Sequence, residues 1–152
     1  MKQLALFLLS TVFVSAASSG GVDIYSAKQI QGIGQKLAQQ KKDSFASEEL
    51  TRYGNHYTMV AYREATGSSE LHEHEADFFV VESGTAALVT GGKIVEPKTT
   101  KPGEIRGSSI QGGEHHQVSA GDIVHIPAGV PHQLLLESGK PFTYFVVKVT
   151  GQ

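Results

Sequence analysis

Cysteine and tryptophan are absent from this chain of 152 residues. Without cysteine there is no disulfide staple, thiolate metal site, cysteine nucleophile or lipidated cysteine anchor, so any transition metal must rely on His, Asp or Glu. Basic clusters are missing too. Thirteen Lys and Arg against fifteen Asp and Glu give a formal charge of −2 with histidine neutral. A phosphate backbone finds nothing to grip, and nucleic acid is not an expected partner. No apolar run after the first residues is long enough to span a bilayer. The N-terminal run, Leu4 to Val14 in MKQLALFLLSTVFVSAASSGG, has barely half of the roughly 20 residues such a span needs. One lysine, this short run and then small residues, Val14-Ser15-Ala16 or Ser15-Ala16-Ala17, read as a secretory signal peptide. The expectation is a secreted or periplasmic protein with no stable membrane anchor.

What remains suits one compact domain: 39% of residues are apolar and 18% charged. In SAKQIQGIGQKLAQQKKDS, Ile30, Ile33 and Leu37 recur at helical spacing behind Ser26 as an N-cap, which predicts one short amphipathic helix packed on its own domain. Gly32 and Gly34 count against it. From Glu49 onward the texture becomes short runs of Val, Ile, Tyr, Phe and Thr between turn signals such as ATGSS, TGGK, SAGD and PAGVP, so an all-β domain is expected. Strands are predicted at 56–64, 71–74, 78–82, 86–90, 117–118, 123–126, 132–137 and 143–149. The division that follows is a cleaved signal at 1–17, an N-terminal arm with its helix at 18–48 and a β-domain at 49–152.

Histidines draw attention in ELHEHEADFFVVESG. Successive side chains of an extended strand point to opposite faces, so His72 and His74 are expected on one face and Glu73 and Glu75 on the other. Two imidazoles on one face can share a metal ion, and a third ligand must come from elsewhere. In GDIVHIPAGVPHQLLL, Pro127, Gly129 and Pro131 fix a corner, and His132 opens the next strand at a rigid position.

Gly121, five residues, Pro127, one residue, Gly129, two residues and His132 reproduce the spacing of the second motif of the cupin superfamily. The first motif, glycine, His-x-His, a few residues, glutamate, six residues and glycine, resembles Gly67, His72, His74, Asp77 and Gly84. The chain is thus similar to small single-domain cupins. That resemblance implies a double-stranded β-helix, or jelly-roll barrel, here with a short N-terminal helical arm. It also implies one divalent transition metal (Fe, Mn, Ni, Zn, Co or Cu) held by His72, His74 and His132, with Asp77 as fourth ligand, and a paired barrel, hence a homodimer. Three departures accompany it: Asp77 stands where glutamate is usual, the gap from His74 to Asp77 is one or two residues short, and Leu136 replaces a frequent asparagine. Asp77 would ligate through a tighter turn at Glu75-Ala76, act through water, or not ligate.

Other features take plainer readings. His115 and His116 are expected outside the metal set, and His125, between Val124 and Ile126, reads either as an acid-base residue lining the cavity or, the favoured reading, as an exposed or hydrogen-bonded strand histidine. The segment EPKTTKPGEIRGSSIQGG, residues 96–113, reads either as a lid over the barrel mouth or as a solvated surface loop. Function stays open between classes, because cupins host many. One reading is a metal-dependent enzyme, dioxygenase-, lyase- or isomerase-like, on a small oxygen-rich molecule. The other is a non-catalytic module that binds a small molecule or sugar.

Overall fold

A computed structural model describes residues 21–152; the expected signal peptide at 1–17 lies outside the described residues. The predicted helix forms as α1 (Ala27–Gln40). Ser26 caps it in a reciprocal box: its hydroxyl accepts from the Gln29 N–H, and its own N–H donates to the Gln29 side chain at 2.9 Å. Thirteen strands follow: β1 (Phe45–Arg52), β2 (His56–Arg63), β3 (Ser69–His72), β4 (Glu75–Ser83), β5 (Thr85–Thr90), β6 (Lys93–Val95), β7 (Lys98–Lys101), β8 (Glu104–Gly107), β9 (Ser109–Gln111), β10 (Glu114–Ser119), β11 (Ile123–Ile126), β12 (His132–Leu135) and β13 (Phe142–Thr150). β1 starts at Phe45, inside the stretch expected to be arm, because its residues pair along β2.

Two antiparallel sheets face each other. One runs β1-β2-β13-β4-β11, the other β10-β5-β12-β3-β8-β7, and β6 and β9 form a small ribbon beside them. The join between β12 and β3 is slight: His132 opposite Glu70 is the one register pair, flanked by Gly129 N–H to His72 C=O and Gly67 N–H to Leu134 C=O. β13 by contrast pairs with β4 at eight positions. Residues 96–113 are neither a free lid nor a bare loop. Most of the segment is strand, and β8 lies directly against β3.

Alternation along β2 and β13 assigns the two faces. Ala61, Tyr144 and Val146 point between the sheets, where they join Phe79, Val81, Leu88, Ile126, Leu134 and Phe142 in the main core. Val60, Tyr62 and Phe145 point outward and are covered by Ile30, Ile33 and Leu37 of α1, so the helix serves its own domain as expected. Gly34 has a purpose in this contact. A Cβ there would stand 2.9 Å from the Thr143 methyl, so glycine lets α1 close on β13. The inward row of β13 continues past the core to Lys148, and that of β4 runs back from Phe79 to Asp77. Polar side chains therefore gather at one end of the sandwich, with hydrocarbon sealing the other.

Candidate metal centre

Cross-strand register assembles the site. Glu70 and His72 share one face of β3, two residues apart. Opposite Glu70 stand His132 on β12 and Arg106 on β8, and opposite His72 stands Glu104. From the facing sheet come Asp77 on β4 and its register partner Lys148 on β13. His132 is placed by the proline-glycine corner, where Gly129 takes φ +75° and its N–H bonds the His72 carbonyl at 2.7 Å, tying the corner to β3.

Glu70 Oε2, His72 Nε2 and His132 Nε2 converge within 4.8 Å of one another. Glu70 Oε2 lies 3.4 Å from His72 Nε2 and 4.0 Å from His132 Nε2. Asp77 Oδ2 lies 3.7 and 3.6 Å from the same two nitrogens. Ligands about 2.1 Å from an ion stand roughly 3.0–3.4 Å apart, so small side-chain movements would close this set on a divalent metal. His132 Nδ1–H is directed at the Val130 carbonyl, 3.1 Å away, which turns the Nε2 lone pair inward. Glu70 is oriented as well: its Oε1 accepts from Arg106 at 2.7 Å and from Arg63 at 3.2 Å, leaving Oε2 toward the imidazoles. Arg63 in turn donates through Nε to the Tyr144 hydroxyl.

Electrostatics favour the metal-ready protonation states. Burial alone would raise the Glu70 carboxyl, but the adjacent guanidinium charges of Arg106 and Arg63 outweigh it and hold the group well below the usual carboxylate range. Burial lowers His132 against the raising influence of Glu70 and Asp77, which keeps its imidazole neutral. Glu104 is likewise pulled down, to about 2: burial pushes it up, and hydrogen bonds from Lys101 and Arg106 more than reverse this.

A cation of the chain's own already sits here. Lys148, 9% exposed, places its ammonium 2.7 Å from His72 Nε2 and 2.7 and 2.6 Å from the two oxygens of Asp77. Contact with Oδ1 is close but off the hydrogen-bond angle, so that buried oxygen has charge contact and no hydrogen bond. Two imidazoles, a buried carboxylate oriented by arginines and a second carboxylate with an unsatisfied oxygen are donors that suit a divalent ion. The residues fit the group.

Of the four expected ligands, the structure brings His72, His132 and Asp77 together and leaves His74 outside. The expectation for His74 needed an unbroken strand. Instead β3 ends at His72, the chain bends at Glu73-His74, and β4 begins at Glu75, so the alternation is interrupted and His74 is exposed. Glu70 takes the place foreseen for it. The short gap was the signal: counted from His72, four residues precede Asp77, which restores the usual spacing and moves the paired positions to Glu70-x-His72. Tyr57, Arg63, Glu104, Arg106 and Lys148, which line the same cavity of about 230 Å³, had no spacing signal. Of the remaining histidines, His125 stacks on Phe78 on the outer side and His116 contacts Thr90 at an exposed position.

Residues 103–148 match the family described as "Cupin domain" (Cupin_2). No curated protein matches the chain. Similar solved structures include an uncharacterized conserved protein with a double-stranded β-helix domain from Klebsiella pneumoniae, at 17% identity and TM-score 0.58, covering 86% of this chain and 92% of that one. A putative mannose-6-phosphate isomerase from Ralstonia eutropha shares 14% identity at TM-score 0.51, covering 72% of this chain and 88% of that one. The DMSP lyase DddQ from Ruegeria pomeroyi shares 20% at TM-score 0.50 over 70% of this chain, which spans only 47% of that protein. The matched segment begins at Gly103 and takes in the proline-glycine corner and Lys148, and the relatives share the facing-sheet architecture. The chain has the double-stranded β-helix fold, and its residues 103–148 match the cupin domain model.

Proposed function

We propose that this protein is a metal-dependent cupin enzyme acting on a small oxygen-rich molecule, with one divalent transition ion held by Glu70, His72 and His132 and with Asp77 as fourth donor. The observation that carries this reading is the convergence of three oriented, largely buried donors at the wall of a cavity. When bound, the ion would supply Lewis acidity to a substrate oxygen. The chain's own residues do the rest. Arg63 and Arg106 hold Glu70 in place, Val130 fixes the His132 tautomer, and the apolar core closes the inner end against water. A lyase and a putative isomerase among the similar folds support an enzyme without choosing its reaction. A cavity of about 230 Å³ suits a substrate smaller than a drug-sized ligand. Export through the N-terminal segment and a homodimer belong to the same proposal.

Metal content of the purified protein and of two variants tests it. The wild type should take up one divalent ion, Glu70→Ala should lose it, and His74→Ala should keep it. Stoichiometric metal in Glu70→Ala, or loss in His74→Ala, would overturn the ligand assignment. The second reading, a metal-free binding module, draws on the Lys148 ammonium already bridging His72 and Asp77. No uptake of Mn, Fe, Co, Ni, Cu or Zn by the wild type would favour it.

A further inference from the structure

Lys148 and a metal ion make competing demands on the same atoms. The His72 Nε2 lone pair accepts from the Lys148 ammonium at 2.7 Å, and one lone pair cannot serve both an ammonium and an ion. Asp77, whose Oδ2 already lies within 3.7 Å of both imidazole nitrogens, is the ammonium's other partner. Once His72 Nε2 and Asp77 Oδ2 serve an ion, the buried Lys148 ammonium keeps only Asp77 Oδ1, at 2.6 Å, on a carboxylate whose charge it then shares with the ion, so it is left under-compensated, a costly state inside a protein.

Charge balance in the cavity points the same way. Arg63, Lys101, Arg106 and Lys148 line it against an equal number of carboxylates, so with neutral histidines it is balanced as it stands. A divalent ion would leave two positive charges uncompensated. The incoming group must therefore be anionic and small, and the structure displays its form: the group now seated on Lys148 is a carboxylate touched through both oxygens, at 2.6 and 2.7 Å.

We propose that the ligand of this cavity is a small carboxylate that takes the positions His72 Nε2 and Asp77 Oδ2 give up on the Lys148 ammonium when they serve the metal, so that metal and carboxylate bind cooperatively. The inference rests on the metal-centre reading above. Reciprocity follows from linkage: whatever factor the metal adds to carboxylate affinity, the carboxylate adds to metal affinity.

Calorimetry and visible absorption on Co(II)-loaded and metal-free protein, in carboxylate-free buffer, test this. Propionate is the probe, with propionamide as its neutral counterpart and inorganic phosphate as the other anion. Propionate should bind the cobalt form at least about tenfold more tightly than the metal-free form, tighten cobalt by the same factor, and outcompete both controls. Lys148→Met should bind cobalt at least as tightly as the wild type and lose the propionate enhancement. Equal propionate affinity with and without cobalt, an undiminished enhancement in Lys148→Met, or preference for phosphate or propionamide would each overturn the inference while leaving the metal centre standing. Failure of the wild type to bind cobalt would overturn both. If Lys148→Met does not fold, the wild-type linkage decides alone.

Discussion

Glu70 divides its two oxygens between different partners, Oε1 to a pair of guanidinium groups and Oε2 to a pair of imidazoles. Removing an orienting partner should therefore loosen the metal without touching a ligand. Arg106→Gln is expected to lower metal affinity about 10- to 100-fold with the fold intact, measured by competition with a chromophoric chelator. Glu104 makes a separate prediction about acid stability. Its folded-state value of about 2 lies below the ordinary carboxylate range, so the unfolded chain binds the proton more readily. The stabilisation is complete above the unfolded value near 4.5 and is lost as pH falls from there toward 2. Denaturation followed against pH should show this acid limb in the wild type, and Glu104→Gln should flatten it.

Strand register, one scale up, decides which side chains meet. His132, Glu70 and Arg106 form one row across three strands, His72 and Glu104 the next, and Asp77 and Lys148 answer from the opposite sheet. A slip of one residue in β3 would turn Glu70 and His72 out of the cavity together. α1 touches none of this, because it packs on the outer faces of β2 and β13. Leu37→Ala should thus cost about 2–5 kcal/mol of stability by denaturant titration while leaving metal affinity unchanged.

Much of this level was legible in the sequence. The alternation of β2 and β13, the cap at Ser26 and the corner at residues 127–131 each have a local cause, and His72 and His132 follow from them. His74 was misplaced because a two-residue bend is indistinguishable from strand when every neighbour is polar. Lys148 gives no local sign at all: only the pairing of β13 with β4 sets it beside Asp77. Glu104 and Arg106 were hidden for another reason. Their segment is rich in proline, glycine and lysine, and it becomes strand through pairing with β3 rather than by propensity.

Taken whole, the molecule joins two halves of unequal firmness around the centre. Asp77 and Lys148 ride on the long β13–β4 ladder, whereas Glu70, His72, Glu104 and Arg106 ride on β3 and β8, which meet β12 through one register pair and its two flanking hydrogen bonds. Local opening follows such differences in backbone pairing. Hydrogen exchange read by mass spectrometry should find β13 and β4 protected longest and β3 and β8 exchanging earlier, with metal loading slowing β3 and β8 most. The slender β12–β3 seam then has a mechanical meaning. On the proposed reading it would let the β3–β8 flap breathe away from the rest and admit ion and ligand to a buried centre, and an ion held from both sides would act as the rivet that shuts it.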